Sequence, residues 1–242
     1  MVPPSRKQSR FATTQWSVVA AAGDTKDPRA REALASICET YWPPVYGFIR
    51  SRGYDVEQAE DLTQGFFAAL LEKNFLKIAR RDKGRFRTFL LTCTKRFLGD
   101  QQDRETAAKR GGGRVAVPFD VGAIEAAHGA DAMAGANPER VFERRWAQTV
   151  MEQAMAQLES EAESSGKLER FRRLRPMIDG TSDASYRQLS EDLDASEASL
   201  KVAVHRLRRR FGELLRQEVA RTVTERENVD DEIRHVLAVL SL

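Results

Sequence analysis

Ser199, Lys201, Val202, His205, Arg206, Arg208 and Arg209 crowd hydrogen-bond donors and positive charge onto the side of a helical repeat that its apolar residues leave free. Leu200, Val204, Leu207 and Phe211 set the phase, recurring every three or four residues, so the cationic side faces solvent. Upstream, Tyr186, Leu189 and Leu193 keep the same period until it breaks at Asp194 and Ala195. The break predicts two short helices meeting at an angle. Ser196 is placed to cap the second by accepting from the backbone N–H of Ala198 or Ser199, and Glu197 suits the positive end of its dipole. Asp194 stands where glycine commonly sits in such turns, and Asp tolerates a left-handed backbone better than most residues. A helix pair of this kind suits a DNA groove, because the first turns of its second helix reach base edges while later cations meet phosphates. Ser199, Lys201, Val202 and His205 are therefore candidate base readers, and Arg206, Arg208, Arg209 and Arg210 candidate phosphate contacts. The competing reading is a surface hairpin whose arginine run is merely solvated.

A second constellation interleaves Arg85, Arg87, Lys95, Arg96 and Arg104 with Phe86, Phe89 and Phe97, and is preceded by Lys77, Arg80, Arg81 and Lys83. Cations beside aromatics suit an unpaired strand, whose phosphates are neutralised and whose bases stack. The alternative is that the phenylalanines belong to a core. A third group, Glu57, Glu60, Asp61 and Gln64, lies early in another helical stretch, where acid also complements the dipole. Gly65 beside it costs about 1 kcal/mol relative to Ala in a helix and hints at a close approach. Signals for catalysis are weak. His128 and His235 belong to no cluster with ligand spacing, and Gly111 to Gly113 precede Arg114 without the Lys and Ser or Thr of a phosphate loop. The expectation is a protein that is not an enzyme and needs neither metal nor cofactor.

The elements that must position these groups are helical throughout. Lys and Arg total 39 and nearly balance Asp and Glu at 36, so the 242-residue chain is no polycation and local segregation of charge decides its partners. Apolar spacing predicts a helix over 28–52, kinked or restarted at Pro43 and Pro44, a second from Asp55 to Lys73 and a third from Phe86 to Arg104. Scattered glycines over 105–137 read as a flexible linker. After Pro138, Val141, Phe142, Trp146, Val150, Ala154 and Leu158 resume the period. A last stripe, Ile233, Val236, Leu237 and Leu240, marks a tail helix from Val229 to Leu240 that needs somewhere to dock.

The fold class is thus all-α, with two small helical domains joined by a flexible linker and a C-terminal helical extension. The expected boundaries are an N-terminal extension at 1–23, a first domain at 24–105, the linker at 106–137, a helix-turn-helix domain at 138–220 and the extension at 221–242. Cys38 and Cys93 lie in apolar patterns and fit reduced, buried thiols. The run from Trp16 to Ala22 is too short for a secretion signal, and no stretch approaches the ~20 apolar residues of a membrane span. A cytoplasmic protein without membrane contact is expected.

Set in order, the segments YWPPVYGFIRSRGYDVEQAEDLTQGFFAALLE, GRFRTFLLTCTKRFLGDQQDR and SYRQLSEDLDASEASLKVAVHRLRRRF resemble a bacterial RNA polymerase sigma factor of the extracytoplasmic-function type. That class keeps only the second and fourth conserved sigma regions. The resemblance implies that 24–105 is a region 2-like bundle and that 138–220 carries a region 4-like helix-turn-helix. It implies that Glu60, Asp61 and Gln64 contact the clamp helices of the polymerase's largest subunit. Lys95 and Arg96 fall in the part that captures flipped bases of the minus-ten element, with Arg96 where many relatives have Asn. Ser199, Lys201, Val202, His205 and Arg206 match readers of the minus-thirty-five element. The implied partners are core RNA polymerase and promoter DNA, with an anti-sigma factor or a kinase as further candidates; Thr63, beside the acidic group, is a phosphate acceptor in the kinase reading and a plain helix residue otherwise. Strand capture offsets the few kcal/mol of base extrusion, so no nucleotide hydrolysis is required of this chain. The alternatives are a stand-alone helix-turn-helix regulator and a helical adaptor that never touches DNA.

Overall fold

The computed structural model describes residues 30–72, 85–107, 137–179, 185–222 and 229–241. Among these there are α-helices and no strand: α1 (Ala30–Ser51), α2 (Val56–Glu72), α3 (Phe86–Ala107), α4 (Pro138–Ser164), α5 (Leu168–Asp179), α6 (Tyr186–Asp192), α7 (Glu197–Thr222) and α8 (Val229–Leu240). The described part of the chain is therefore all-α. The extension at 1–23, most of the expected linker with Gly111 to Gly113 and His128, and the cations Lys77, Arg80, Arg81 and Lys83 lie outside the described residues.

Local chemistry sets the helix ends. Asp55 accepts from the backbone N–H of Gln58 at 2.8 Å while the Gln58 side chain accepts from the Asp55 N–H at 3.2 Å, a reciprocal box that starts α2. Asn137 caps α4 ahead of Pro138, accepting from the N–H groups of Glu139 and Arg140. At the other end of α4, Gly166 takes φ 69°, and the N–H groups of Gly166 and Lys167 close onto the carbonyls of Glu163 and Ala162. Of the two outcomes expected at Pro43 and Pro44, a kink or a restart, the restart does not occur: α1 runs through both. The two rings deny a donor to the carbonyls four residues earlier, but Tyr41, Trp42, Val45, Tyr46, Phe48 and Ile49 are all buried around them, and that packing holds the helix through the gap.

α1 lies along α4, its most extensive neighbour. Gly47 makes the crossing tight, since a Cβ there would stand 3.1 Å from Cγ of Arg145 and 3.3 Å from Cγ1 of Val141. Around this axis one hydrophobic core gathers residues from α1, α2, α3, α4, α5, α7 and α8. Tyr41 meets Phe86 edge-on with centroids 5.2 Å apart, Trp42 stacks on Phe67 at 5.5 Å, and Phe66 meets Phe97 at 5.8 Å. The helices of 24–105 thus pack on those of 138–220. A second, smaller cluster joins Leu174, Leu189, Leu200 and Val204 beneath α6 and the start of α7. α7 serves both: its first half covers the small cluster, and Leu214, Leu215 and Val219 enter the large one. Leu207 touches both clusters, and at Gly212, beyond Phe211 of the large one, an added Cβ would meet nothing within 4 Å.

The tail stripe does dock. Val229 and Val236 are buried, with α8 seated on α4 and α7. Burial pushes the thiols of Cys38 and Cys93 up to about 11, and neither is in a disulfide. Among the described residues no helix is long and apolar enough to cross a membrane.

Candidate nucleic-acid interface

The turn between α6 and α7 is built as its residues require. Ser185 and Gln188 cap α6 reciprocally, and Asp194 adopts φ 45°, the left-handed conformation that reverses the chain. The Ser190 hydroxyl donates to the Ala195 carbonyl at 2.6 Å and ties the turn back to α6. Ser196 then accepts from the N–H of Ser199 at 3.2 Å, starting α7. Leu200 and Val204 point inward with almost no exposure.

The opposite side of α7 carries the candidate readers. Ser199, Lys201, Val202, His205, Arg206, Arg208 and Arg209 are all exposed, Val202 by 51%, which is unusual for so apolar a side chain. Their engagements differ. Lys201 reaches Glu197 at 3.5 Å and lies 5.5 Å over the Tyr186 ring. Arg208 donates to the Met177 carbonyl at 2.6 Å, and Arg209 pairs with Glu213 at 3.3 Å. Arg206 has no ion pair among the described residues. Arg210, grouped with the phosphate contacts by sequence, grips Glu161 of α4 through two parallel hydrogen bonds of 2.8 and 2.6 Å and reaches Glu213 at 2.9 Å. Those bonds from Arg210 hold the Glu161 carboxyl below its ordinary pKa. Arg210 is therefore a brace between α7 and α4.

Ser199, Val202 and Arg206 also line an open groove of about 740 Å³, whose other wall includes Leu158, Phe171 and Arg170. The spacing places Leu158 but not α5, which contributes Phe171 and Arg170. Its signal was present in the small-period recurrence of Phe171 and Leu174, but six charges in LERFRRLRPMID obscured the stripe.

On α3, Lys95 and Arg96 are both exposed. Lys95 is paired with Glu139 of α4 at 2.6 Å, and that hydrogen bond lowers the Glu139 pKa. The neighbouring aromatics follow the core alternative. Phe86 is fully buried, Phe89 and Phe97 are half-buried, and Arg87 is buried with them.

On α2, Asp61 is exposed while Glu60, Gln64 and Gly65 are half-buried. Thr63 is fully buried and donates to the Ala59 carbonyl at 2.6 Å. Thr63 is thus the plain helix residue, closed to a kinase in this conformation. The three groups stand on three separate helices. Among the described residues no cluster of His, Cys, Asp and Glu is arranged to hold a metal ion.

Compared with family models, curated proteins and solved structures, the chain matches none of them.

Proposed function

We propose that this chain is a sigma-type initiation factor, which binds core RNA polymerase and directs it to promoters. In this reading α7 reads the minus-thirty-five element through Ser199, Lys201, Val202 and His205, with Arg206 beside them and Arg208 and Arg209 further along the helix on phosphates. Lys95 and Arg96 on α3 take the melted minus-ten strand, and Glu60, Asp61 and Gln64 on α2 engage the polymerase. The supporting observation is the cap-and-turn construction at Asp194 and Ser196, which presents the first turns of α7 to solvent with their cations outward. Base capture needs binding energy alone, so the polymerase performs all the chemistry.

The test is transcription in vitro with core polymerase, the full chain and fragmented genomic DNA. Defined new start sites support the reading, together with co-purification that Asp61→Arg abolishes. A chain that neither associates with core polymerase nor redirects initiation refutes it. A second reading, a stand-alone helix-turn-helix regulator, draws on one contrast: Arg206 on α7 is free to meet duplex, whereas Lys95 on α3 is already paired. That regulator would bind its operator tightly without polymerase.

A further inference from the structure

Arg85, just before α3, and Arg87 and Lys95 on it face carboxylates contributed by α4 and α8. Arg87 is 3% exposed; its Nε lies 2.7 Å from Oε2 of Glu143, its Nη1 pairs with Glu232, and its guanidinium sits 4.4 Å over the Trp146 ring. Arg85 Nε reaches Glu232 at 3.0 Å, and His235 of α8 contacts Glu143 at 2.8 Å. One turn further along α4, Glu139 holds Lys95 at 2.6 Å. Glu232 itself is fully buried.

Such an arrangement is a poor way to gain stability. Two charges removed from water recover little more than their desolvation cost, and apolar side chains of similar volume would do as well. Burial accordingly lowers the Arg87 pKa, with Glu143 opposing. What the ionic row does supply is occupancy. Guanidinium and ammonium groups that hold carboxylates in this geometry would hold phosphate oxygens in the same one, and they cannot hold both.

We propose that Glu232 on α8, together with Glu143 on α4, is an internal competitor for the nucleic-acid strand, so that α8 must lift from the core before Arg85 and Arg87 can take phosphates, while Glu139 on α4 competes separately for Lys95. This rests on the reading of α3 as the strand-binding helix. The structure then corresponds to the closed form. By linkage, whatever loosens α8 tightens strand binding, and a bound strand loosens α8 by the same factor.

The test uses Val236→Asp in the full chain. A carboxylate at this fully buried position carries a desolvation cost that undocking α8 relieves. The variant adds negative charge, so simple electrostatics weakens its binding to a fluorescein-labelled, mixed-sequence single-stranded DNA oligonucleotide. The clasp predicts the opposite, a gain of at least about fivefold in anisotropy titrations. Hydrogen exchange across 229–241 should be fast in the variant, with α1 and α4 still protected. Wild-type affinity or weaker binding in a variant whose α8 exchanges freely overturns the proposal. If Val236→Asp unfolds the whole chain, Glu139→Gln decides, because its pair with Lys95 is exposed and dispensable for folding. Added oligonucleotide must then accelerate α8 exchange in Glu139→Gln, and unchanged exchange overturns the proposal. The initiation assay separates the two failures. Wild-type initiation with no unmasking removes the clasp alone, whereas unmasking without initiation removes the sigma reading and leaves a covered nucleic-acid face.

Discussion

Replacing Arg206 by Gln isolates one phosphate contact on α7 without touching the fold, because this side chain is exposed and has no ion pair among the described residues. Each phosphate neutralised on duplex DNA releases counterion and contributes about 0.9 to the slope of log affinity against log salt. Arg206, Arg208 and Arg209 are the outward phosphate contacts of α7, so they should contribute about −2.7 to the wild-type slope, or roughly a 40-fold loss of affinity between about 50 and about 200 mM salt. Arg206→Gln should bring that contribution to about −1.8. Lys201 and Arg209 must first release Glu197 and Glu213, but exposed pairs within one helix are worth only about 0.3–0.5 kcal/mol, so each release costs about a factor of two. Removing the competitor with Glu197→Gln should therefore tighten duplex binding by about twofold at low salt. Fluorescence anisotropy with a duplex carrying a start-site-proximal promoter, in complex with core polymerase, reads both changes as differences from wild type. An unchanged slope for Arg206→Gln, with Glu197→Gln also neutral, would show that this side of α7 does not meet the duplex.

Other outcomes follow from single features. Asp194→Ala should lower stability in urea unfolding by about 1 kcal/mol, while Asp194→Gly should not, because only glycine takes a left-handed backbone without steric cost; equal effects would refute the role assigned to the turn. Arg210 depresses the Glu161 pKa in the folded state, so the bridge stabilises above the unfolded carboxylate value of about 4.3 and is lost as pH falls through the folded value. Glu161→Gln should melt below wild type at neutral pH and alongside it in strong acid, and a gap that stays constant with pH would contradict this. Cys93, buried and with its thiol pushed up to about 11, should react with a disulfide reagent at mildly alkaline pH only after denaturant is added, and half-buried Cys38 should react more slowly than a free thiol; rapid labelling of Cys93 in the folded chain would contradict its burial.

The helix pair at Asp194 was legible because its signals are local: a broken period, a serine that can cap and a residue that tolerates the left-handed region. The tail helix was legible for a similar reason, through a stripe of Ile233, Val236 and Leu240. Its docking partner was not. A stripe says that a face is buried but not against what, so the packing of α1 on α4 through Gly47 leaves no mark on spacing. Charged residues misled most. Arg87 and Glu232 are buried against each other, and partners 56 or more residues away, as Glu143 and Glu232 are from Arg87, are invisible to any local period. Arg210 is the same case on a smaller scale: it sits inside a cationic run, and only the fold brings Glu161 to it.

Gly212 gives α7 a joint. The helix is 26 residues long, or about 39 Å at 1.5 Å per residue, and one end belongs to the small cluster while the other belongs to the large one. A glycine in its interior softens the rod within the stretch already seated on the large core, and no neighbouring atom demands the missing side chain. Two residues earlier, the paired bonds of Arg210 to Glu161 pin the rod to α4, so whatever bend the glycine allows is held by a single guanidinium.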